Sequence, residues 1–248
     1  MASSENLVRQ PTIGVLGGTS HIVTPAYYQL INQAAREHHG GDHIAETLIA
    51  GMNYGNIRSF IFAGDWDGLA QYVGTKVDAL EAAGVDLVIG SSNTTHLVMD
   101  DVMKDRSTPF LPITQPVGEA IAQAGLKKVA IFGTQTTMQG GKVMNEIAEI
   151  SGAEIIAPRP EEQDEIHRII FEELCEETFL DASRKRYREI ALRMKNEDGA
   201  EGLILGCTEI FLLLTQGDLP EMAVFASAVL HAEAAVAQVL KGKAQQAV

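Results

Sequence analysis

Short apolar runs alternate with longer mixed segments along almost the whole chain. The apolar runs have the length of buried strands, and the longer segments repeat apolar residues every three or four positions, as amphipathic helices do. This alternation predicts parallel sheets covered by helices on both faces. The predicted strands are 12–17, 46–52, 87–90, 110–112, 128–132, 154–157, 202–205 and 223–225. The predicted helices are 24–38, 66–83, 95–104, 138–151, 161–177, 180–196, 209–214 and 228–240.

The two halves of the chain carry matched segments. Segments 84–96 and 199–209 each contain a turn glycine, an acidic residue, an apolar strand, and then Ser or Cys in a Thr-containing loop. A strand that ends in glycine and threonine also recurs, at 13–19 and at 129–134. Two matched pairs in the same order predict a duplicated domain.

We therefore predict an α/β fold of two similar parallel-sheet domains, of the flavodoxin or Rossmann type, related by a pseudo-twofold axis. The first domain is predicted to comprise 1–113 with 224–248, and the second 114–223, with a hinge near 112–116. This division returns the last strand and helix to the first domain. We expect the active site in the cleft between the domains, because ligands of open α/β sheets bind at the carboxyl ends of strands.

Composition narrows the partners. The 248 residues carry a net charge of −14, which disfavours binding to nucleic acid or to anionic membranes. The first ten residues are polar, and the apolar runs fall far short of the roughly 20 residues that a bilayer span needs. Two cysteines cannot form a multi-disulfide framework. We expect a soluble cytoplasmic protein.

Cys207 is the strongest candidate for chemistry. It lies at the end of a predicted strand, between Gly206 and Thr208, where a helix is predicted to begin at Glu209. A helix N-terminus lowers the pKa of a thiol, so we expect a reactive thiolate. Cys175 lies on an acidic predicted helix and is expected to be structural.

Ser91 and Ser92 compete for the matching position in the first half. A serine without a neighbouring base accepts a proton poorly, so the alternative is a loop hydroxyl bonded to local backbone. The following Asn93, Thr94 and Thr95 offer donors suited to a carboxylate, and Thr208 does so in the second half.

Two further loops follow strands in matching positions. Gly18 and Thr19 lie in a Gly-Gly-Thr-Ser loop, and Thr134 and Thr137 lie in its counterpart. Paired glycines allow close approach of the backbone to a small ligand. Neither a dinucleotide nor a P-loop fingerprint is present, which disfavours binding of a dinucleotide or of a nucleotide phosphate. The histidine-rich segment 38–43 is interpreted as a solvated turn, and no metal site is predicted.

Three motifs resemble the aspartate/glutamate racemase superfamily, in its aspartate racemase branch. The opening Gly-Gly-Thr-Ser segment is similar to that of the family, and segment 92–96 is similar to its Cys-Asn-Thr-x-His motif with Ser92 in place of Cys. Segment 206–209, Gly-Cys-Thr-Glu, matches its second motif, and the similarity spans essentially the whole chain. The resemblance implies two α/β domains, a site between them, racemisation by two opposed thiols without a cofactor, and a homodimer.

Departures from the family pattern concern the substrate. Relatives that bind dicarboxylic amino acids place a lysine where this chain has Asp164 and Glu165. Arg58, and Asn53 before it, follow the second strand and are expected to bind substrate. The resemblance therefore implies that the site for the substrate's α-carboxylate is intact and that the site for its side chain is altered.

The sequence thus predicts a cofactor-independent racemase or epimerase of a small amino acid or related carboxylate, with Cys207 and Ser92 on opposite faces of Cα. Two alternatives remain open. One is an isomerase or decarboxylase of the same superfamily that uses a single thiol. The other is a non-catalytic protein that binds a small carboxylate.

Overall fold

The computed structural model describes residues 10–40 and 42–246. The polar segment 1–9 and Gly41 of the histidine-rich turn lie outside the described residues. Seven strands in this part of the chain form two parallel sheets, which confirms the predicted fold class. The first sheet has the order β2-β1-β3, from β1 (Thr12–Gly17), β2 (Glu46–Gly51) and β3 (Leu87–Gly90). The second has the order β5-β4-β6-β7, from β4 (Lys128–Phe132), β5 (Glu154–Ile156), β6 (Gly202–Leu205) and β7 (Ala223–Ala226).

Helices connect these strands. They are α1 (Val23–His39), α2 (Tyr54–Ala63), α3 (Trp66–Ala82), α4 (Met99–Met103), α5 (Thr114–Ala124), α6 (Gln135–Met138), α7 (Lys142–Ser151), α8 (Pro160–Glu172), α9 (Asp181–Arg193) and α10 (Ser227–Gln246). None of the helices in the described ranges combines the length and the apolar character needed to cross a membrane.

Each central strand is buried on both faces because its successive side chains enter different cores. In β1, Val15 packs with α1 and α10, whereas Leu16 packs with α3. In β4, Phe132 packs with α8 and α9, whereas Ile131 packs with α5 and α7. The two sheets therefore repeat one arrangement, consistent with the expected pseudo-twofold relation.

The last strand does not return to the first sheet as expected. Its residues pair in parallel with β6, as in the register of Phe225 with Ile204, so β7 is an edge of the second sheet. Only α10 returns: Ala228, Ala232 and Ala235 pack with the first sheet and α1. The division of the chain into 1–113 with 224–248 and 114–223 remains a prediction in other respects.

Several connecting segments also differ from expectation. The region 110–112 forms a single bridge between Val88 and Phe110, not a strand. The proposed hinge at 112–116 contains the start of α5, with Pro116 in the first helical turn, where the missing N–H costs nothing. Helix α2 was missed because Gly55 and Asn56 weaken its pattern. The predicted helix 209–214 is a short 3₁₀ turn at Ile210–Leu212.

A buried histidine fastens α10 to the segment that joins the two sheets. The Nε2 atom of His231 donates to the Leu111 carbonyl oxygen (2.9 Å), because a carbonyl only accepts. In the neutral ring Nδ1 then accepts from the Tyr27 hydroxyl (3.1 Å). Burial, assisted by the nearby His96, lowers the pKa of His231 to about 3, and the bond to Leu111 opposes this.

This shifted pKa makes the stability of the fold depend on pH. The unfolded chain protonates His231 near pH 6.5, but the folded chain does so only near pH 3. Between these values the unfolded state binds more protons, so the free energy of unfolding falls as pH falls from 6.5 towards 3. The contribution of one histidine has a slope of about 1.4 kcal/mol per pH unit.

Urea unfolding of wild type and His231→Leu at pH 7 and pH 4.5 checks this. The variant should be less stable at pH 7, because two buried hydrogen bonds are lost. The difference in free energy of unfolding between the two proteins should narrow at pH 4.5, because wild type loses stability through His231 and Leu cannot be protonated. Carboxylates titrate in both proteins and therefore cancel in this difference. A gap that stays constant contradicts the expected neutral histidine.

Candidate functional site

The loops that follow β3 and β6 meet between the two sheets. The side-chain amide of Asn93 donates to the Gly206 carbonyl oxygen (2.7 Å). The Thr208 hydroxyl donates to the Ser91 carbonyl oxygen (3.2 Å). The relation is reciprocal, because each donor follows one candidate proton-transfer residue and each acceptor precedes the other. The two halves thus approach at the carboxyl ends of their strands, where a ligand site was expected.

The same geometry distinguishes the two serines. The backbone N–H of Ser91 donates to Leu16 O (3.0 Å) in the first sheet, and that of Gly206 donates to Phe132 O (2.7 Å) in the second. Ser91 is therefore the counterpart of Gly206, and Ser92 is the counterpart of Cys207. Ser91 is fully buried and its hydroxyl donates to Leu16 O, whereas Ser92 is partly exposed.

Cys207 is a protonated thiol paired with a carboxylate. Its Sγ lies 2.9 Å from Glu209 Oε2, and the Thr208 hydroxyl oxygen lies 3.3 Å from the same carboxylate oxygen. Burial, and then the negative charge of Glu209, hold the pKa of the Cys207 thiol well above its ordinary value. The expected thiolate at a helix N-terminus is therefore wrong for this state, because Glu209 adjoins the sulfur and only a 3₁₀ turn follows.

Ser92 has a different environment. Its hydroxyl accepts from the Thr94 N–H (3.1 Å), and its carbonyl accepts from the Thr95 hydroxyl (2.9 Å) and from Nδ1 of His96 (2.7 Å). Within the described part of the chain, these bonds leave the Ser92 hydroxyl without a carboxylate or imidazole to take its proton. The two faces of the site are therefore chemically unequal.

The loop after β1 presents an unused donor. Gly18 has a φ of +87°, and a Cβ there would lie 2.1 Å from the Met52 carbonyl oxygen. Its N–H donates to the Thr24 hydroxyl (2.9 Å), which fixes the turn. Thr19 is 8% exposed, and its hydroxyl is the one buried side-chain oxygen of the described residues without a hydrogen-bond partner. A buried hydroxyl in that position is suited to a ligand.

The equivalent loop of the second half is closed on itself. The hydroxyls of Thr134 and Thr137 lie 3.2 Å apart, and the Thr137 N–H donates to the Thr134 carbonyl oxygen. Gly133 lies where a Cβ would meet the Thr137 side chain at 2.9 Å. The backbone of this loop therefore packs tightly after β4.

Residues after β2 have structural contacts of their own. Asn53 is exposed and caps α2 by accepting from the Gly55 N–H (2.9 Å). Arg58 is exposed, with its guanidinium 5.8 Å from the Tyr54 ring centre. Tyr54 was not expected in the site. Its pKa is raised to about 12 by burial, then by Cys175, with smaller effects of Glu209 and Cys207. The charges of Glu209 and Cys207 thus act on Tyr54, whose ring Arg58 adjoins.

The acidic pair on α8 is divided. Glu165 accepts from Nε of Arg186 (2.8 Å), which balances its charge. Asp164 accepts from the Gln135 side chain (2.7 Å), directly after the Thr134 loop. One turn further, Nδ1 of His167 accepts from the Gln135 backbone N–H (3.2 Å), and burial lowers its pKa against the influence of Asp164. Asp164 and His167 are three residues apart and therefore share one face of α8. This spacing is the sequence signal that could have identified His167, which was not predicted.

The two α/β halves thus meet at loops that carry a thiol and a carboxylate. The chain belongs to the Asp/Glu/Hydantoin racemase family, whose model matches residues 13–235. The family resemblance inferred from the motifs is thereby confirmed.

Solved structures agree in fold. A putative Asp/Glu racemase from Yersinia pestis is 33% identical, covers 93% of this chain and 99% of its own, and superposes with a TM-score of 0.85. An aspartate racemase homologue from Pyrococcus horikoshii OT3 is also 33% identical, covering 92% and 99%, with a TM-score of 0.82. A glutamate racemase from Picosynechococcus sp. is 29% identical over 144 residues, 56% of this chain. That match spans only 48% of the length of the relative.

The pairing of Cys207 with Glu209 has a measurable consequence. In Glu209→Gln the negative charge beside the sulfur is lost, so the pKa of the thiol should fall while burial still holds it high. Alkylation by iodoacetamide, which requires the thiolate, should then reach half its maximal rate at a lower pH.

The measurement is made in a Cys175→Ala background so that only Cys207 is labelled. Cys175→Ala alone is the reference, and Cys175→Ala with Cys207→Ala should take up no label. An alkylation profile that is unchanged or shifts to higher pH in the Glu209→Gln protein contradicts the assigned contact.

Proposed function

We propose that this protein is a cofactor-independent amino-acid racemase or epimerase, which removes the Cα proton from one face of its substrate and returns a proton to the other. The observation that carries the proposal is the reciprocal hydrogen bonding between the loops that hold Ser92 and Cys207. Membership of the family supports it. General acid–base transfer of this kind requires both groups within hydrogen-bond reach of Cα.

The thiol side supplies an acid and, through its partner, a base. As a thiol, Cys207 donates its proton to a carbanion and becomes a thiolate. In the reverse sense, Glu209 accepts the Sγ proton across the 2.9 Å contact, and the resulting thiolate removes the Cα proton. The unpartnered Thr19 hydroxyl supports binding of the substrate carboxylate, with Thr94 as a second proposed donor. Asn93, Thr95 and Thr208, also expected to bind it, use side-chain donors on backbone carbonyl oxygens and therefore shape the loops around it.

The inequality of the two faces supports a second candidate. Ser92 lacks a side-chain base among the described residues, whereas Cys207 has Glu209. An enzyme with one effective acid–base group would exchange the Cα proton on one face, as in an isomerase or decarboxylase that uses a single thiol. The two candidates differ in whether exchange is accompanied by inversion.

Proton exchange in D₂O distinguishes them. Racemisation predicts loss of the Cα proton signal of either enantiomer together with appearance of the deuterated opposite enantiomer, followed by NMR and chiral chromatography. Cys207→Ala should abolish both processes, because the group that moves the proton is removed, and Cys175→Ala is the matched thiol control.

Ser92→Cys gives the further comparison. A racemase that uses both faces should tolerate or gain from a second thiol. Full exchange activity in Cys207→Ala would refute the assignment of the thiol. Exchange without inversion in wild type would favour the enzyme with one thiol, and tight amino-acid binding without exchange would favour a binding protein.

The charges at the second-half side of the site bear on the substrate. Arg186 balances Glu165, so the expected repulsion of an acidic substrate rests on Asp164, which is exposed and thus screened. Arg58 is an exposed cation near Tyr54 and offers a distal carboxylate a partner. The proposed substrate is a small amino acid, with the side-chain preference set by these two residues.

Turnover of aspartate, homoserine and lysine in charge variants tests this preference. Asp164→Asn should raise the ratio of aspartate to homoserine turnover up to about fivefold, the range of an exposed charge interaction. Glu165→Gln should leave it unchanged because its charge is already paired. If Glu165→Gln moves the ratio and Asp164→Asn does not, the assignment of the two carboxylates is reversed.

A homodimer in the cytoplasm belongs to the same proposal. The edge strand β2 exposes Leu48 and Ile49, and the preceding Ile44 is also exposed. Apolar side chains that adjoin an unpaired sheet edge are typical of a protein interface. This surface supports association of two chains.

A further inference from the structure

A second histidine lies directly beneath the Ser92 loop and has no part in the proposed proton transfer. His96 is 4% exposed and belongs to the 3₁₀ turn Thr95–Leu97 that follows the loop. Its Nδ1 lies 2.7 Å from the Ser92 carbonyl oxygen, so Nδ1 carries a hydrogen and donates it. The Ile113 backbone N–H donates to Nε2 (2.9 Å), so Nε2 carries none. Only the neutral ring protonated at Nδ1 satisfies both bonds.

The second of these bonds reaches the connection between the two sheets. Ile113 is the residue immediately before α5, the first helix after the crossing. Two residues earlier, the Leu111 N–H donates to Val88 O in the first sheet, and the Leu111 carbonyl accepts from His231. The ring of His96 thus joins the Ser92 loop to a segment whose Leu111 is bonded to the first sheet and to α10.

The backbone of His96 is also held from the second half. Lys142 of α7 donates to the His96 carbonyl oxygen (3.1 Å) and forms ion pairs with Asp100 and Glu146. His96 is therefore bound to the loop, to the crossing segment and to the second half of the chain. Through His96, the Ser92 backbone is thus connected to α7 of the second half.

The strand before the loop is shaped to admit this ring. A Cβ on Gly90 would lie 3.2 Å from Cε1 of His96 and 3.0 Å from the Thr95 hydroxyl. Burial lowers the pKa of His96 to about 4, with Lys142 acting in the same direction and the bond to Ser92 opposing it. The neutral tautomer that the two bonds require is therefore kept at neutral pH.

We propose that His96 is a positioning residue for the proton transfer, because its Nδ1–H holds the Ser92 backbone on a turn that Lys142 binds from the second half, the half that carries Cys207. The inference rests on the proposed function for its catalytic consequence and on the hydrogen bonds alone for its structural one.

Three substitutions separate the two bonds of the ring. His96→Asn keeps an N–H near the position of Nδ1 and loses the acceptor for Ile113. His96→Gln places its amide near Nε2, where it accepts from Ile113, and loses the donor to Ser92. His96→Phe keeps the ring and loses both bonds. Ser183→Ala is the control, since it removes a buried side-chain hydrogen bond, to Glu173, at a residue that bonds neither to the Ser92 loop nor to the crossing segment.

The catalytic readout is the primary deuterium isotope effect on kcat, measured with each Cα-deuterated enantiomer. Misplacement of Ser92 slows the transfer on its face, and a displacement of about 1 Å costs up to about a hundredfold in rate. In His96→Gln and His96→Phe, the isotope effect should rise for the enantiomer whose Cα proton faces Ser92 and fall for the other. His96→Asn should stay near wild type. A merely structural loss lowers both rates without moving this ratio, as expected for Ser183→Ala.

Two NMR measurements test the geometry without turnover. The ¹⁵N shifts of His96 should show a protonated Nδ1 and an unprotonated Nε2. The Thr94 amide, which donates to the Ser92 hydroxyl, should exchange with solvent as slowly in His96→Asn as in wild type, and faster in His96→Gln and His96→Phe.

The outcomes are distinct. Equal effects of Asn and Gln on both the isotope-effect ratio and Thr94 exchange overturn the inference, and so does a ring protonated at Nε2. If wild type has no turnover, the proposed function fails, while the tautomer and the Thr94 exchange series still decide whether His96 holds the loop.

Discussion

The interaction on which the site depends is the exchange of hydrogen bonds between the β3 and β6 loops. Asn93 reaches Gly206 O and Thr208 reaches Ser91 O, so each bond ends on the backbone immediately before the opposing side chain. The separation of the two faces is therefore set by two short side chains, each bonded to the backbone of the opposing loop. Because both bonds are buried, moving one half alone would leave polar groups unpaired at about 1–3 kcal/mol each. The sheets must hold their relation or lose both contacts together.

This close approach also determines the chemical state of the thiol. Withdrawal from water raises the pKa of Cys207, and the adjacent Glu209 raises it further. A strand-end cysteine is thus a resting acid with a base beside it, not a preformed nucleophile. The arrangement suits reversible proton transfer, in which the same sulfur must gain and lose a proton during successive turnovers.

The order of apolar and polar residues predicted those strands whose bounds depend only on neighbouring residues. The bounds of β1, β3, β4 and β6 were predicted to the residue, because each is a continuous apolar run between turn residues. The sheet to which β7 belongs was predicted wrongly, since pairing with β6 is a long-range choice that its four residues do not encode. Prolines 112 and 116 favour a loop in the sequence, yet Pro116 falls where a helix tolerates it.

The same limit applies to the site. Motifs located the loops that carry Ser92 and Cys207. Only the hydrogen bonds from Ser91 to Leu16 show which of the two adjacent serines is the counterpart of Cys207. The thiolate was expected from a predicted helix that the chain does not form. Tyr54 and His167 lie in segments without a motif. Only their interactions draw attention to them: the charges that act on Tyr54, and the bond from the Gln135 N–H to His167.

The duplicated halves hold their matching loops by different means. Four residues after Ser92 stands His96, whose two polar atoms tie the loop to the crossing segment. Four residues after Cys207 stands Phe211, which has no polar atom and packs instead against the cores on both sides of the junction. At this position one loop is held by direction-specific bonds and the other by apolar contact. In the loop of Cys207, a carboxylate, Glu209, adjoins the sulfur directly. The two halves share one arrangement of strands but differ in these loop residues. One loop therefore carries the Cys207–Glu209 pair, and the other carries the Ser92 hydroxyl on a backbone held by His96.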